Sequence, residues 1–306
     1  MGMKLRVHVA PPGTRDFLRQ AVVDGGGTVV DDIATADALV WTSPRDADGL
    51  RALLARRPDL PWVQLPWAGI EHYLDVLDNR RVWTAGQGVY ADDVAEHVLA
   101  LMLAASRDLK QRAQATSWQA PSGRSLRGAH VTIFGAGGIT RALVPLLEPF
   151  AVRLTIVRRR SEPFAGAVQT VTLEDRLTAL ADADVVVLAL ALTPQTRGVI
   201  GARELAAMKR DALLINVARG GHVDTAALVD ALATGTIGGA ALDVTDPEPL
   251  PPGHPLWSAP RCLITPHCAN TPDMAVPVLS ARVRDNVRRR IEGRLLHGVI
   301  DVDAGY

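Results

Sequence analysis

Lysine, cysteine and aromatic residues are all scarce in this chain of 306 residues. Only Lys4, Lys110 and Lys209 stand beside the arginines, which reads as a compositional bias of the source genome rather than a functional signal. The 33 acidic residues balance the 33 basic ones, so no general field gathers nucleic acid or an anionic membrane. No apolar run approaches the roughly 18 residues of a membrane span. The opening MGMKLRVHVAPPG lacks a sustained apolar segment and a small-residue cleavage site, and reads as a strand entering a turn. A cytoplasmic protein with no nucleic-acid or membrane partner is the expectation. Two cysteines, Cys262 and Cys268, are too few for a disulfide framework. With His267 they also lack zinc-ligand spacing and a second ligand pair, so buried thiols and no metal are expected.

What is present is alternation. In the first 90 residues LRVHVA, ADALVWT and PWVQLPWAG have the composition of strands, while TRDFLRQAVVD and ADGLRALLARR have helical period. A small α/β layer with a parallel sheet follows. DDVAEHVLALMLAASRDLKQR, from Asp92 to about Arg112, reads as one long helix with acids at its start and bases at its end, as the helix dipole favours. Its apolar residues cover more than one face, which implies burial between domains or subunits. Trp118 in the following arm adds to the subunit reading.

A second series begins at His130. VTIFG, RLTIV, ADVVVLAL, ALLINV, IGGAALDV and RCLIT are near-continuous apolar strands, separated by helical segments such as TRALVPLLEPF, ARELAAM and TAALVDALATG. That pattern marks a doubly wound parallel sheet covered on both faces. A last helix near Pro277 to Arg294 would return to the first domain and make it discontinuous. The expected division is 1–94 with 272–306 for a substrate-binding domain, and 95–271 for a dinucleotide-binding domain.

VTIFGAGGI sets Gly135, Gly137 and Gly138, followed by Ile139, between a buried strand and a helix. Glycines there permit a tight turn and close approach of a pyrophosphate, and the helix N-terminus favours its charge. Two details depart from the usual fingerprint: Thr140 stands at the third glycine position, and Pro145 would kink the helix. About 20 residues on, where an NAD site offers an acid to the ribose 2′-hydroxyl, the chain has Arg158 and Arg159, then Arg160. Arginines there can pair with a 2′-phosphate, so NADP(H) is the expected preference, with NAD(H) possible. An exposed basic turn tolerating either cofactor is the competing reading.

Three side chains follow buried strands near the end of the second series: Arg219 in INVARGG, Glu248 in DPEPLP and His267 in ITPHC. An arginine grips a carboxylate in bidentate fashion. A histidine beside a carboxylate can pass a proton to an oxygen at neutral pH. Given a hydride carrier, such a set reduces or oxidises the carbon next to an acid group.

These segments resemble the D-isomer-specific 2-hydroxyacid dehydrogenase family. The likeness runs through ADDVAEHVLALMLAASR, GAGGI, ADVVVLALALTPQTRGVI, LLINVARGGHVDTAAL, AALDVTDPEPLP and HPLWSAPRCLITPHCANT, in the family's order. The resemblance implies a Rossmann cofactor domain with a smaller flavodoxin-like α/β substrate domain. It also implies roles: Arg219 holds the substrate's carboxylate and carbonyl, His267 exchanges the proton, and Glu248 orients His267. Val217 lines the cofactor, Asp243 contacts the nicotinamide amide, and the backbone N–H groups of Ala68 and Gly69 bind the substrate carboxylate. A homodimer built on the long helix and the arm around Trp118 is implied as well.

The substrate is less legible. Trp41 resembles a position seen in bacterial glyoxylate/hydroxypyruvate reductases, and Trp67 would shrink the pocket towards a short 2-oxoacid. Core packing is the competing reading of both rings. Glyoxylate or hydroxypyruvate reduction is therefore the expected activity, with 3-phosphoglycerate oxidation as the alternative. A dinucleotide-sensing interaction protein on the same fold is an alternative of another class.

Overall fold

The computed structural model describes residues 4–305; Met1, Gly2, Met3 and Tyr306, which fall within the expected first domain, lie outside the described residues. The chain divides into two compact units, one of Met1–Tyr90 with Thr271–Tyr306 and the other of Ala91–Asn270. The long helix thus belongs to the second unit from its first residue.

The first unit opens with β1 (Arg6–Ala10), α1 (Phe17–Asp24), β2 (Thr28–Val30), β3 (Ala38–Trp41), α2 (Ala47–Ala55), β4 (Trp62–Gln64) and β5 (Val82–Thr84). The sheet is parallel with order β2-β1-β3-β4-β5, a flavodoxin-like arrangement. Side chains of successive strand residues alternate between its two faces. Ala38 and Val40 pack with Leu18 and Val22 of α1, whereas Leu39 and Trp41 pack with Leu50 and Leu54 of α2. The sequence reading missed β2 and β5, each of three residues and too short to show a period.

The second unit begins with α3 (Ala91–Ser106) and α4 (Leu109–Ala113). The single helix expected through Arg112 is therefore two. Asp108 between them takes the left-handed conformation at φ +52, and its carboxylate accepts from Arg261 Nε at 3.0 Å and Ser122 Oγ at 2.8 Å. Those contacts hold the break, and Lys110 and Arg112 belong to the second helix. There follow β6 (His130–Phe134), α5 (Gly138–Leu147), β7 (Arg153–Val157), β8 (Gln169–Val171), α6 (Arg176–Ala181), β9 (Val185–Leu188), α7 (Ala202–Ala207), β10 (Leu213–Asn216), α8 (Thr225–Thr234), β11 (Gly239–Leu242) and β12 (Cys262–Ile264). Helix α5 runs through Pro145 for two further residues before a 3₁₀ turn at Glu148–Phe150.

The seven strands are parallel in the order β12-β11-β10-β9-β6-β7-β8, a doubly wound Rossmann-type sheet with a seventh strand. Val185 and Val187 face α3 and α5, while Val186 and Leu188 face the side of α7 and α8. Burial on both faces explains why these strands read as continuous apolar runs.

The chain then enters α9 (Pro272–Ile291), whose Leu279, Val283 and Val287 pack with Val7, Leu18 and Val22 in the first unit's core. Gly25 admits the close approach: a Cβ there would lie 2.6 Å from the Arg284 carbonyl oxygen. The tail pairs with β5 through Ala85 N–H to Gly298 O and Ile300 N–H to Trp83 O. Among the described residues no helix is long and apolar enough to cross a membrane.

Candidate active site

Register brings the chemistry of the second unit to one edge. Across the sheet Val157 pairs with Phe134, Phe134 with Leu188, Leu188 with Asn216, Asn216 with Leu242, and Leu242 with Ile264. These residues end their strands together. The next residues in the chain are Arg158, Gly135, Val217, Asp243 and Thr265, so every expected site of this unit emerges at the carboxyl edge. Ligands of open α/β sheets bind there.

The glycine loop separates into residues the fold requires and residues it does not. Gly135 has φ +109, and a Cβ would sit 2.2 Å from the Ala189 carbonyl oxygen, so the turn itself demands glycine. Gly137 is different: a Cβ there would meet nothing within 4 Å, and Gly137 and Gly138 are exposed. Helix α5 starts there with no side-chain cap, leaving its first N–H groups without intrahelical partners. Open space beside uncapped donors fits a pyrophosphate. Thr140 at the third position is buried, and its hydroxyl donates to Gly135 O at 2.9 Å, closing the turn. Ile139 is half-buried.

At the end of β7, Arg158 is half-buried and Arg159 exposed. The turn also holds an acid that the sequence reading left out. Glu162 lies 3.8 Å from Arg158 Nη2 and 3.9 Å from Arg160 Nη1, loose ion pairs in which the arginines outnumber the carboxylate.

The Arg219 segment is held rigidly by its neighbours. Asn216 Nδ2 donates to Arg219 O at 2.9 Å, and Asn216 Oδ1 accepts from Ala218 N–H at 3.0 Å. His222 is fully buried; its Nε2 lies 3.2 Å from Ala191 O and its Nδ1 3.2 Å from Arg219 N. Nδ1 also lies 3.0 Å from Arg219 O, so the ring ties the Arg219 turn to the Ala191 carbonyl. Gly220 is obligatory, since a Cβ would fall 2.0 Å from Thr245 C and O. The Arg219 side chain is half-buried and donates from Nη1 to Ala218 O at 2.7 Å. Val217 is buried in the core beneath.

Glu248 and His267 meet. His267 Nδ1 lies 2.8 Å from Glu248 Oε1, so Nδ1–H donates to the carboxylate and Nε2 is left for a ligand. The His267 side chain is 49 % exposed, open enough to serve a substrate atom. Its backbone is left-handed at φ +50, an uncommon state for a residue with a Cβ. Its N–H donates to Asp243 O at 2.7 Å, which ties this turn to β11.

The side chain of Asp243, which the resemblance sets at the nicotinamide amide, is 1 % exposed and already engaged. Oδ1 accepts from Thr265 Oγ1 at 2.6 Å and Cys268 N–H at 2.9 Å, Oδ2 accepts from Ala269 N–H at 3.1 Å, and His97 Nε2 stands 3.3 Å away. Burial pushes the carboxyl up, but the donors from His97, Thr265, Cys268 and Ala269 outweigh it and bring its pKa to about 2. Asp243 anchors the turn that carries His267. The parts of this anchor that the sequence reading missed, His97 and Thr265, meet only through folding, since His97 comes from α3. Among the described residues one group of metal-ligating side chains comes together, His97, Asp243 and Cys268, with ligand atoms within 4.8 Å. Its carboxylate is the one whose oxygens these donors fill. Both cysteines are free; burial pushes the Cys262 thiol up to about 11, and burial with the Asp243 charge raises that of Cys268.

The first unit holds the remaining expected residues. Trp41 is 3 % exposed and belongs to the core with Leu39, Leu65 and Tyr73. Trp67 is half-buried and tilted against Tyr90, with ring centroids 5.9 Å apart. Ala68 is exposed and Gly69 half-buried, in the loop after β4. Neither backbone N–H finds an acceptor among the described residues.

A family model described as the NAD binding domain of D-isomer specific 2-hydroxyacid dehydrogenases matches residues 99–269. An uncharacterized protein of Corynebacterium melassecola is 38% identical over an alignment of 299 positions that covers 94% of this chain and 95% of that one. A glycerate dehydrogenase of Methylorubrum extorquens is 33% identical over 84% of this chain and 83% of its own length. Among solved structures, an NADPH-dependent glyoxylate/hydroxypyruvate reductase from Sinorhizobium meliloti in complex with NADP and sulfate is similar. It superposes with a TM-score of 0.82 at 27% identity, covering 99% of this chain and 100% of that chain.

The Asp243 anchor has a pH signature. Its folded pKa of about 2 lies below the ordinary 3.8, so its stabilisation is full above about pH 4 and is lost as pH falls through 2. Denaturant titrations of the native protein should lose on the order of 2 kcal/mol over that interval from this group. The Asp243→Asn variant should be less stable at pH 7 and show a shallower acid limb. An unchanged acid limb would remove the anchor role.

Proposed function

The chain belongs to the D-isomer specific 2-hydroxyacid dehydrogenase family, and from that premise we propose how its residues carry out the reduction of a short 2-oxoacid to a D-2-hydroxyacid. The Glu248–His267 pair at 2.8 Å, on the same sheet edge as the glycine loop, is the observation that carries this reading.

The nicotinamide cofactor supplies, when bound, the hydride that adds to the 2-carbon. Gly137, Gly138 and Ile139, at the uncapped start of α5, would hold its pyrophosphate, and Val217 would offer it an apolar surface. Arg219 pairs with the substrate carboxylate and polarises the carbonyl. As negative charge develops on the carbonyl oxygen, Nε2 of protonated His267 donates to it. The bond from Nε2 to hydrogen breaks as the new O–H forms, and the imidazole is left neutral with Nδ1–H on Glu248. Glu248 thus fixes the ring with Nε2 turned to the carbonyl oxygen. The reverse reaction uses the same atoms. Asp243 holds the turn of His267 in place.

Glyoxylate and hydroxypyruvate are the substrate type proposed, supported by the activities named for the similar proteins and by the bulk of Trp67 in the loop before Ala68. NADP(H) is the proposed cofactor because Arg158 and Arg159 stand where a 2′-phosphate would lie. The protein acts in the cytoplasm as a homodimer, with α3, α4 and the arm around the fully exposed Trp118 as the joining element.

His267→Asn should lower kcat by about 10²–10⁴-fold while cofactor binding, followed by fluorescence titration, stays close to native. Near-native turnover would overturn the proton-transfer role. A ratio of kcat/KM for NADPH over NADH well above one is expected; a strong NADH preference would sink the assignment of Arg158. Sedimentation at micromolar concentration should give a dimer, and a monomer would contradict the joining role of the Trp118 arm.

A further inference from the structure

The turn after β7 carries an anion of its own. Arg158 N–H donates to Val171 O at 3.0 Å, and Phe164 N–H donates to Thr170 Oγ1 at 3.1 Å, so both ends of the turn are tied to β8. Phe164 is also buried in one cluster with Leu143, Val144 and Leu147 of α5. Between these anchors stand Arg159, Arg160, Ser161, Glu162 and Pro163. A proline disfavours helical backbone in the residue before it, so Pro163 narrows the freedom of Glu162.

The Glu162 carboxylate faces two guanidinium groups, one with each oxygen. Oε2 lies 3.8 Å from Arg158 Nη2, and Oε1 lies 3.9 Å from Arg160 Nη1. A charge-assisted hydrogen bond is about 2.7–2.9 Å long, so these contacts are coulombic and can be parted at low cost. All three side chains are partly exposed, where water and salt weaken the attraction further.

Charge decides what this arrangement does to a cofactor. In the assignment proposed above, on which this inference rests, Arg158 and Arg159 receive the 2′-phosphate of NADP(H). A phosphate monoester carries about 1.5–2 negative charges at neutral pH, more than one carboxylate supplies. It therefore displaces Glu162 from Arg158, but it loses part of its attraction in doing so and then bears a like charge close by. NAD(H), with a hydroxyl at that position, displaces nothing and meets arginines already partly neutralised. We infer that Glu162 is a specificity-determining residue, an internal competitor for the 2′-phosphate that narrows the preference for NADP(H) over NAD(H). Hydride transfer proceeds as already described, and no bond is made at Glu162.

Binding of adenosine 2′,5′-bisphosphate and of adenosine 5′-monophosphate, followed by isothermal titration calorimetry, reads this end of the cofactor apart from catalysis. The two probes differ only in the 2′-phosphate, and the native protein should bind the bisphosphate more tightly. Glu162→Gln keeps the shape of the side chain and removes its charge. It should tighten the bisphosphate by about 3–10-fold at low ionic strength and move the monophosphate by less than about twofold. That gain should shrink at about 1 M salt, where the screening length falls to about 3 Å. The ratio of kcat/KM for NADPH over NADH should rise in the same direction. Because the monophosphate serves as the internal reference, partial loss of folded protein does not imitate the effect. A bisphosphate affinity that is unchanged or weakened in Glu162→Gln overturns the inference, as does equal tightening of both probes. A native protein that fails to distinguish the probes instead defeats the NADP(H) assignment, and the inference with it.

Discussion

The carboxylate of Asp243 lies out of water and yet stays ionised because donors converge on it from two directions. Thr265, Cys268 and Ala269 approach from the turn after β12, and His97 from α3. An uncompensated charge at that depth would be costly, whereas a fully hydrogen-bonded one fixes its surroundings. What it fixes is the turn in which His267 adopts a left-handed backbone. From that position the imidazole reaches Glu248 with one nitrogen and presents the other outward. The Glu248–His267 pair therefore depends on Asp243, a residue the resemblance sets at the cofactor.

The level register of the parallel sheet is the second constraint. Because Phe134, Leu188, Asn216, Leu242 and Ile264 stand side by side, the glycine loop, the Arg219 turn and the His267 turn leave the sheet at one height. Buried strands with both faces covered cannot slip without exposing apolar side chains to polar positions, so the register is strongly held. Pre-organisation of this kind places charge and donors before a substrate arrives, which is where most of the catalytic advantage of such sites arises. Gly135 and Gly220 show how closely the backbone is packed at that height, since neither leaves space for a Cβ.

Much of this was legible in the sequence because strong local patterns carry it. Apolar runs such as ADVVVLAL and ALLINV must be buried on both faces, and glycines straight after a strand announce a tight turn. Arg219, Glu248 and His267 were legible through their position after such strands. Three-residue strands such as Thr28–Val30 and Gln169–Val171 were not, since so short a segment has no period. The break at Asp108 depends on Arg261, far away in sequence, and no local signal predicts it. The burial of Trp41 and the donors that converge on Asp243 are tertiary facts of the same kind.

The central claim is that Glu248 acts through His267 on a 2-oxoacid carbonyl. A double-mutant cycle with Glu248→Gln and His267→Asn, read as kcat/KM for NADPH-dependent reduction of hydroxypyruvate, tests it most directly. Each single variant should lose activity, and Glu248→Gln should add less than about a threefold further loss once His267 is gone, because residues acting as a unit are not additive. Losses that multiply independently would contradict the account.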